Sequence, residues 1–357
     1  MTKKLQVGVL FGGKSVEHEI SLRSATNVVA NMDRKKFEPI LIGIDKNGGW
    51  YLCKSITKDI GSGSPVSFIL GSKGHYFYDS STKEKLDIDL ISPALHGEDG
   101  EDGSIQGMLT MANIPFAGSG VSGAANSMDK FISKKLLLEA GVPVGKYVQK
   151  CYHEKGTVSF DAITKEVGLP FIIKPSCSGS SVGVNKVSSE SDFQEALNDT
   201  FKYDNSILFE EFIEGRELEC AIIGNETPVA SNPGEVIISN DYEFYTYTAK
   251  YTDENAAQIV VPAAVSSEIT QKIKTLSIKA YQALNCEDFA RVDLFLKKNG
   301  EVLVNEINTI PGFTDVSMFP MLWQDANITY TDLITKLIHF ALKKFKQKNR
   351  LETNFKS

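Results

Sequence analysis

Two carboxylates, an arginine and an amide recur at alternate positions of one segment: Arg291, Asp293, Glu306 and Asn308 in ARVDLFLKKNGEVLVNEIN. Asn299-Gly300 separates two alternating apolar runs, which predicts a tight β-hairpin. A two-residue loop pairs Lys298 with Glu301, hence Asp293 with Glu306 and Arg291 with Asn308. A four-residue loop (Lys297–Gly300) pairs Leu296 with Glu301 and sets Arg291 against Glu306. Either register leaves the four polar residues on one face and gives Val292, Leu294, Leu296, Leu303 and Ile307 to a core. Such a polar face suits a hard divalent cation, which takes oxygen ligands. A solvated sheet face with a surface ion pair is the plainer alternative. Thr309-Ile310-Pro311-Gly312 follows, a turn whose backbone can approach a ligand closely.

Other stretches suit anions. Lys174 ends an apolar run and opens KPSCSGSSVG, which closes at Gly183. Small residues there expose backbone amides to phosphate oxygens, and the lysine adds charge; a flexible surface hairpin would look the same. Ile207–Leu218 (ILFEEFIEGREL) runs from a strand into a linker. Its free backbone groups could read an adenine edge and Glu217 could hold a ribose, although an acidic surface loop is the plainer reading. GGKSVEHE, 12–19, follows a first strand and opens a helix, whose N-terminus attracts anions. Glu17 could hold an ammonium. His18 reads first as a packing histidine; His96, at a strand's carboxyl end before Gly97, is better placed for a ligand.

Two apparent motifs fail. Gly8-x4-Gly13-Lys14-Ser15 matches the written phosphate-loop pattern, but Val9, Leu10 and Phe11 continue the strand past Gly8, so the loop starts too late to cradle phosphate. Glu98–Asp102 lacks the spacing of a calcium loop.

The chain has 357 residues, enough for two or three domains. With 38 Lys+Arg against 45 Asp+Glu the net charge is −7, which argues against a general nucleic-acid binder. The basic run Lys343–Arg350 reads as a solvated helix end. No apolar run approaches a membrane span, and Leu5–Phe11 reads as a strand, not a signal peptide. Five scattered cysteines argue against a disulfide framework and a structural zinc site. The expected compartment is the cytoplasm.

Strands Leu5–Phe11, Pro39–Asp45, Leu86–Pro93 and Pro115–Ala117 alternate with helices Glu17–Asn31 (Ser15 as N-cap) and Gly103–Asn113. That pattern predicts a parallel α/β sheet with ligands at its carboxyl ends. Small polar residues 120–128 suit a boundary, and a helix Met128–Ala140 stops at Gly141 and Pro143. An α+β unit follows to Glu211. The last third holds long strands, a Tyr-rich stretch (Asn240–Asn255), a helix (Ser267–Ala283), the hairpin and a final helix (Tyr330–Lys346).

Taken in order, GGKSVEHEISLRSA, LHGEDGEDGSIQG, SMDK, IIKPSCSGSSVGV, EEFIEGREL, AKY, RVDLF and NEINTIPGFT cover almost the whole chain and resemble the D-alanine–D-alanine ligases of the ATP-grasp superfamily. The resemblance implies a three-domain ATP-grasp fold, α/β and α+β: a Rossmann-like parallel-sheet domain (1–122), a central lid subdomain (123–212) and a C-terminal domain with the magnesium site and mobile loop (213–357). By resemblance, Lys130 and Lys174 contact ATP phosphates, Glu210, Glu211, Phe212 and Ile213 form the adenine linker, and Glu217 holds the ribose. Ser180, Ser181 and Val182 belong to the loop closing over phosphate. Asp293, Glu306 and Asn308 match the ligands of two Mg²⁺, or of Mn²⁺. Glu17 holds the first D-alanine's ammonium with His96 nearby, and Ser317 and Met318 grip the second one's carboxylate.

The implied reaction phosphorylates one D-alanine and lets the amine of a second attack the acyl phosphate, giving a dipeptide for peptidoglycan precursors. Arg291 and the Gly312 amide hold the oxyanion. A lid excludes water, as an acyl phosphate requires. Tyr242–Tyr251 matches that lid, with Lys250 at its tip and Tyr251 bonded to the Ser180 and Glu17 network. Tyr251 favours an amine nucleophile over D-lactate but discriminates poorly against D-serine. Thr246 and Thr248 depart from the acidic residues many relatives carry there. The alternatives are a D-alanine–D-serine or D-lactate ligase of the same fold and, beyond it, another ATP-grasp carboxylate–amine ligase. Family members are usually homodimers; no membrane or nucleic-acid partner is implied.

Overall fold

The computed structural model describes residues 3–70, 77–239 and 257–352. The stretch 240–256, with Lys250 and Tyr251, therefore lies outside the described residues. The first sheet contains β1 (Leu5–Gly12), β2 (Phe37–Ile44), β3 (Trp50–Cys53), β4 (Ser64–Phe68), β5 (Phe77–Asp79) and β6 (Leu90–Pro93), in the order β5-β4-β3-β2-β1-β6. β1 is buried from Val7 onward, as a continuous apolar run predicts for a central strand. It pairs in parallel with β2 and β6. The sheet is mixed, not wholly parallel: β3, β4 and β5 add antiparallel ladders. These strands are short, and among the described residues only a one-turn 3-10 helix (Ile60–Ser62) separates any of them, too little for a parallel crossover. Gly8 lies inside β1, where a Cβ would come within 2.6 Å of Ile91 Cδ1. It is a packing glycine, as the rejection of the phosphate-loop pattern requires.

Helix α1 (His18–Asn31) starts later than expected. Its N-cap is Glu17; Ser15 instead donates its hydroxyl to the His96 carbonyl at 2.6 Å. Helix α2 (Ser104–Met111) is trimmed at both ends. Residues expected to form a boundary are helical, α3 (Val121–Met128), followed by α4 (Lys130–Glu139) capped by Asp129. Small residues serve close packing here, since a Cβ on Gly123 would meet the Asn285 carbonyl at 2.4 Å.

The second sheet holds β7 (Tyr147–Cys151), β8 (Phe171–Pro175), β9 (Asn185–Val187) and β10 (Ser206–Glu211) in the order β7-β10-β8-β9. Helices α5 (Phe160–Val167) and α6 (Glu190–Thr200) bury Ile163, Phe193 and Leu197 against Phe171 and Phe209.

The third sheet holds β11 (Gly215–Ile223), β12 (Val229–Ala230), β13 (Gly234–Ile238), β14 (Ala257–Val260), β15 (Phe289–Lys297) and β16 (Val302–Asn308). Its order is β14-β13-β11-β15-β16, with β12 paired to β11. Helix α7 (Ser267–Ala283) covers one face through Ile273, Ala280 and Tyr281. Helices α8 (Met318–Asp325) and α9 (Tyr330–Lys348) bury Phe319, Leu322, Ile334 and Ile338 in one core with Val7, Val9 and Phe11 of β1. That shared core fixes the first sheet against the third, so the Gly12–Glu19 turn and the Thr309–Ser317 turn keep one geometry.

The basic run on α9 is not only solvated. Lys344 is mostly buried and reaches the fully buried Asp288 at 2.8 Å. No helix among the described residues is long and apolar enough to cross a membrane.

Candidate active site

The hairpin takes neither anticipated loop. Lys297 pairs with Glu301 around a three-residue loop, with Gly300 in the left-handed region at φ 81°. Glycine adopts that conformation without a Cβ clash. The resulting register faces Leu294 with Val304 and Leu296 with Val302, so the core receives Val302 and Val304. Leu303 pairs with Phe295 on the other side, against expectation. A bulge at Asn305 then shifts the register, and Asp293 faces Glu306 while Arg291 faces Asn308. A bulge re-aims side chains; here Asn305 and Glu306 both line the same cavity.

Glu219 of β11 pairs with Asp293 in register, so Glu219, Asp293 and Glu306 form a row across three adjacent strands. Like charges in a row repel, and Arg291 compensates. Its guanidinium donates to both Asp293 oxygens at 2.7 Å and lies 3.0 Å from Glu219. Burial would favour losing the proton, but Asp293 and Glu219 hold the Arg291 pKa well above its ordinary value. Asn308 donates to Asp293 at 3.0 Å.

Two cavities meet at this row. The larger, about 530 Å³, is walled by Lys174, Glu210, Glu211, Phe212, Ile213 and Glu217, and reaches Ser181 and Asp293. Its size suits a drug- or nucleotide-sized ligand. The smaller, about 190 Å³, is lined by Glu17, His96, Arg291, Asn308, Gly312, Ser317 and Met318. Lys130, Ser180 and Glu306 line both. Val182 lines neither.

At the larger cavity, the Glu210 carboxylate takes Lys174 at 2.9 Å and Lys134 at 3.3 Å. Burial opposes its charge, and the two lysines outweigh it, leaving its pKa below the ordinary value. Lys130 donates to the Ser178 carbonyl at 2.6 Å and lies 3.8 Å from Glu306. Ser180 and Ser181 both hold positive φ, 51° and 57°, strained for non-glycine residues and typical of ligand clamps.

At the smaller cavity, Ser180 donates its hydroxyl to Glu17. Gly97 lets the chain approach this pair, since a Cβ there would lie 2.7 Å from Glu17 Oε2. His96 is buried and neutral: Nδ1 donates to the Ile310 carbonyl at 3.0 Å, and Ser24 donates to Nε2 at 2.8 Å. Burial lowers its pKa despite the Glu17 charge. His96 therefore ties the first sheet to the Thr309–Ser317 turn. Ser317 caps α8 without a side-chain bond to that helix; its hydroxyl instead accepts from the Thr314 N–H at 3.0 Å. Met318 is buried.

Some residues at the site were not singled out from sequence. Lys134 follows Lys130 by one helical turn, a readable spacing. Glu219 alternates with Glu217 along β11. Arg216 holds Glu235 on the cavity wall through two 2.6 Å bonds, and nothing local announces that pair. Glu101, in the run rejected as a calcium loop, accepts from the Gly97 and Ile310 amides at 2.7 and 3.2 Å.

Burial, reinforced by Glu17, pushes the Glu101 carboxyl from 4.5 up to about 8. The folded protein then binds a proton that the unfolded chain loses above pH 4.5. This contribution to stability is fully present below that pH and is lost as pH rises towards about 8. Glu101→Gln should flatten the fall of the thermal midpoint between pH 5 and 8.5, removing at most ~1.4 kcal/mol per pH unit. Equal slopes in melting curves of the two proteins would exclude a protonated Glu101.

The D-ala D-ala ligase N-terminus family matches residues 6–119, and the D-ala D-ala ligase C-terminus family matches residues 136–339. The chain is 43% identical over 363 aligned positions to D-alanine--D-alanine ligase A of Escherichia coli strain K12, covering 98% of this chain and 99% of that one. The D-alanine-D-alanine ligase structure from Coxiella burnetii superposes with a TM-score of 0.87 at 32% identity, covering 98% of this chain and 97% of that chain. The Bacillus anthracis D-alanine--D-alanine ligase complexed with ATP superposes at 0.75 and 27% identity, covering 96% of this chain and 99% of that one. The ordered motifs, the three sheets and these full-length likenesses agree: this chain belongs to the D-alanine–D-alanine ligase family, with its ATP-grasp fold.

Proposed function

We propose that this protein is an ATP-dependent ligase that joins two D-alanines into D-alanyl-D-alanine. The observation that carries the reading is the junction of the two cavities at Lys130, Ser180 and Glu306. A phosphate chain in the larger cavity then ends beside a small amino acid in the smaller one. Family membership makes the large ligand ATP and the small ones D-alanine.

In this reading Glu17, oriented by Ser180, receives the first D-alanine's ammonium. The first D-alanine's carboxylate oxygen attacks the γ-phosphorus, the bond to the bridging oxygen breaks, and ADP leaves. Lys130 and Lys174 carry positive charge to the transferring group. The amine of the second D-alanine, once its ammonium has lost a proton to solvent, attacks the acyl carbonyl; the nitrogen sheds its surplus proton and phosphate departs. Arg291 and the Gly312 amide stabilise the oxyanion, and the Ser317 end of α8 faces the second carboxylate with its positive dipole. The adenine lies along Glu210–Ile213 and the ribose near Glu217. Val182 belongs to the loop over phosphate, and Lys250 and Tyr251 to the covering lid.

Asp293, Glu306 and Asn308 would hold Mg²⁺. Among the described residues no three Asp, Glu, His or Cys side chains form a metal cage of their own. That fits a cation that also needs phosphate oxygens, as Mg²⁺ does. The bound ion would neutralise charge on the transferring phosphoryl group. We place the domains at 1–122, 123–212 and 213–357 and expect a cytoplasmic homodimer. ADP formation from ATP that depends on D-alanine tests the reading; ADP formation indifferent to D-alanine would reject it.

A further inference from the structure

Lys134 has no role in the chemistry above, yet its side chain is only 2% exposed and its ammonium lies 3.3 Å from Glu210, which lines the large cavity. It stands one turn beyond Lys130 on α4, so both reach the same side. The two oxygens of Glu210 are divided: Oε2 takes Lys174 at 2.9 Å and Oε1 faces Lys134 at 3.3 Å. Lys174 also touches Asn305, the bulge residue of β16, at 3.5 Å. Lys174 and Glu210 line the cavity, whereas Lys134 does not.

Two lysines on one carboxylate leave the cluster with one excess positive charge. Glu210 alone with Lys174 would be neutral, and its undivided attraction would hold the Lys174 ammonium. A phosphate chain must draw Lys174 towards itself, which would strand a buried Glu210 charge unless a second cation stays behind. Lys134 is that cation: it is too buried to follow the ligand.

We infer that Lys134 is a positioning residue for nucleotide phosphate, neutralising Glu210 so that Lys174 is released to ATP and the cavity wall stays positive. This rests on the reading of the large cavity as the ATP site.

The test is Lys134→Met, which keeps the length of the chain and removes the charge. ATP affinity, read by calorimetry without turnover, should weaken roughly ten- to a hundred-fold. KM for D-alanine should stay within about threefold, because Lys134 does not line the smaller cavity. Glu210→Gln removes the carboxylate that would trap Lys174; because Glu210 also belongs to the adenine linker, that single variant is the reference for the double one. In the Glu210→Gln background Lys134→Met should change ATP affinity by less than about threefold, a non-additivity that a lost packing contact cannot give. If Lys134→Met alone does not fold, the comparison of the double variant with Glu210→Gln carries the test. Unchanged ATP affinity in the Lys134→Met variant, equal losses for ATP and D-alanine, or a loss in the Glu210→Gln background as large as in the parent would each overturn the inference. Failure of the parent protein to form ADP with D-alanine would reject the ligase reading instead, and the calorimetric comparison would still stand.

Discussion

Arg291→Met should lower kcat by about 10²–10³-fold, the usual effect of removing one oxyanion donor. It should also destabilise the protein by roughly 3–5 kcal/mol, because a buried charge loses its partner. The arginine is the cation that the row of Glu219, Asp293 and Glu306 shares on adjacent strands. Lysine at 291 should recover part of the stability but little of the rate, since it cannot make the two parallel bonds to Asp293. Steady-state kinetics and thermal melts read the two effects separately. A fully stable Arg291→Met would mean that the carboxylate row is solvated and needs no compensation.

Glu306→Gln and Asp293→Asn should cut turnover by roughly 10²–10⁴-fold, the size of several kcal/mol of charge stabilisation at a phosphoryl group. For Glu306→Gln stability should move the other way from Arg291→Met, since it removes one of three like charges while Arg291 keeps Asp293 and Glu219 as partners at 2.7 and 3.0 Å. The melting midpoint of Glu306→Gln should stay level or rise. Lys14→Ala is the control: Lys14 pairs with Asp99 at 2.9 Å, and both side chains are about half exposed. Its loss should leave turnover and ATP affinity within about twofold, as for an exposed ion pair. ATP affinity that depends on Lys14 and survives Asp293→Asn would move the nucleotide to the Gly8–Ser15 segment and dismantle the site described above.

Much of this was legible. Alternation around Asn299-Gly300 places Arg291, Asp293, Glu306 and Asn308 on one face whichever loop is assumed, because the side-chain period of two survives the choice. The apolar run past Gly8 excludes the phosphate loop by itself. The bulge at Asn305 was not legible: one extra residue leaves hydrophobic parity nearly intact while giving Val302 and Val304 to the core under α7 and turning Leu303 to the opposite face, where it is also buried. Strands β3–β5 were missed because short, partly exposed strands carry little periodic signal. Helix α3 was hidden because its small residues also suit a linker. Lys134 and Glu101 were passed over for a different reason. A lysine on a helix and a glutamate in an acidic run are ordinarily solvated, and only the packing of distant elements buries them.

The most direct measurement is product analysis with ATP and Mg²⁺ when D-alanine, L-alanine, D-serine and D-lactate are offered singly and in pairs. The reading predicts phosphate release with D-alanine alone, one D-alanyl-D-alanine per ADP, and no product from L-alanine. Release that is fastest when D-alanine is paired with D-serine or D-lactate would contradict the second subsite built from Ser317 and Met318. No release with any of them would take from Glu17, Arg291 and Ser317 the roles assigned to them.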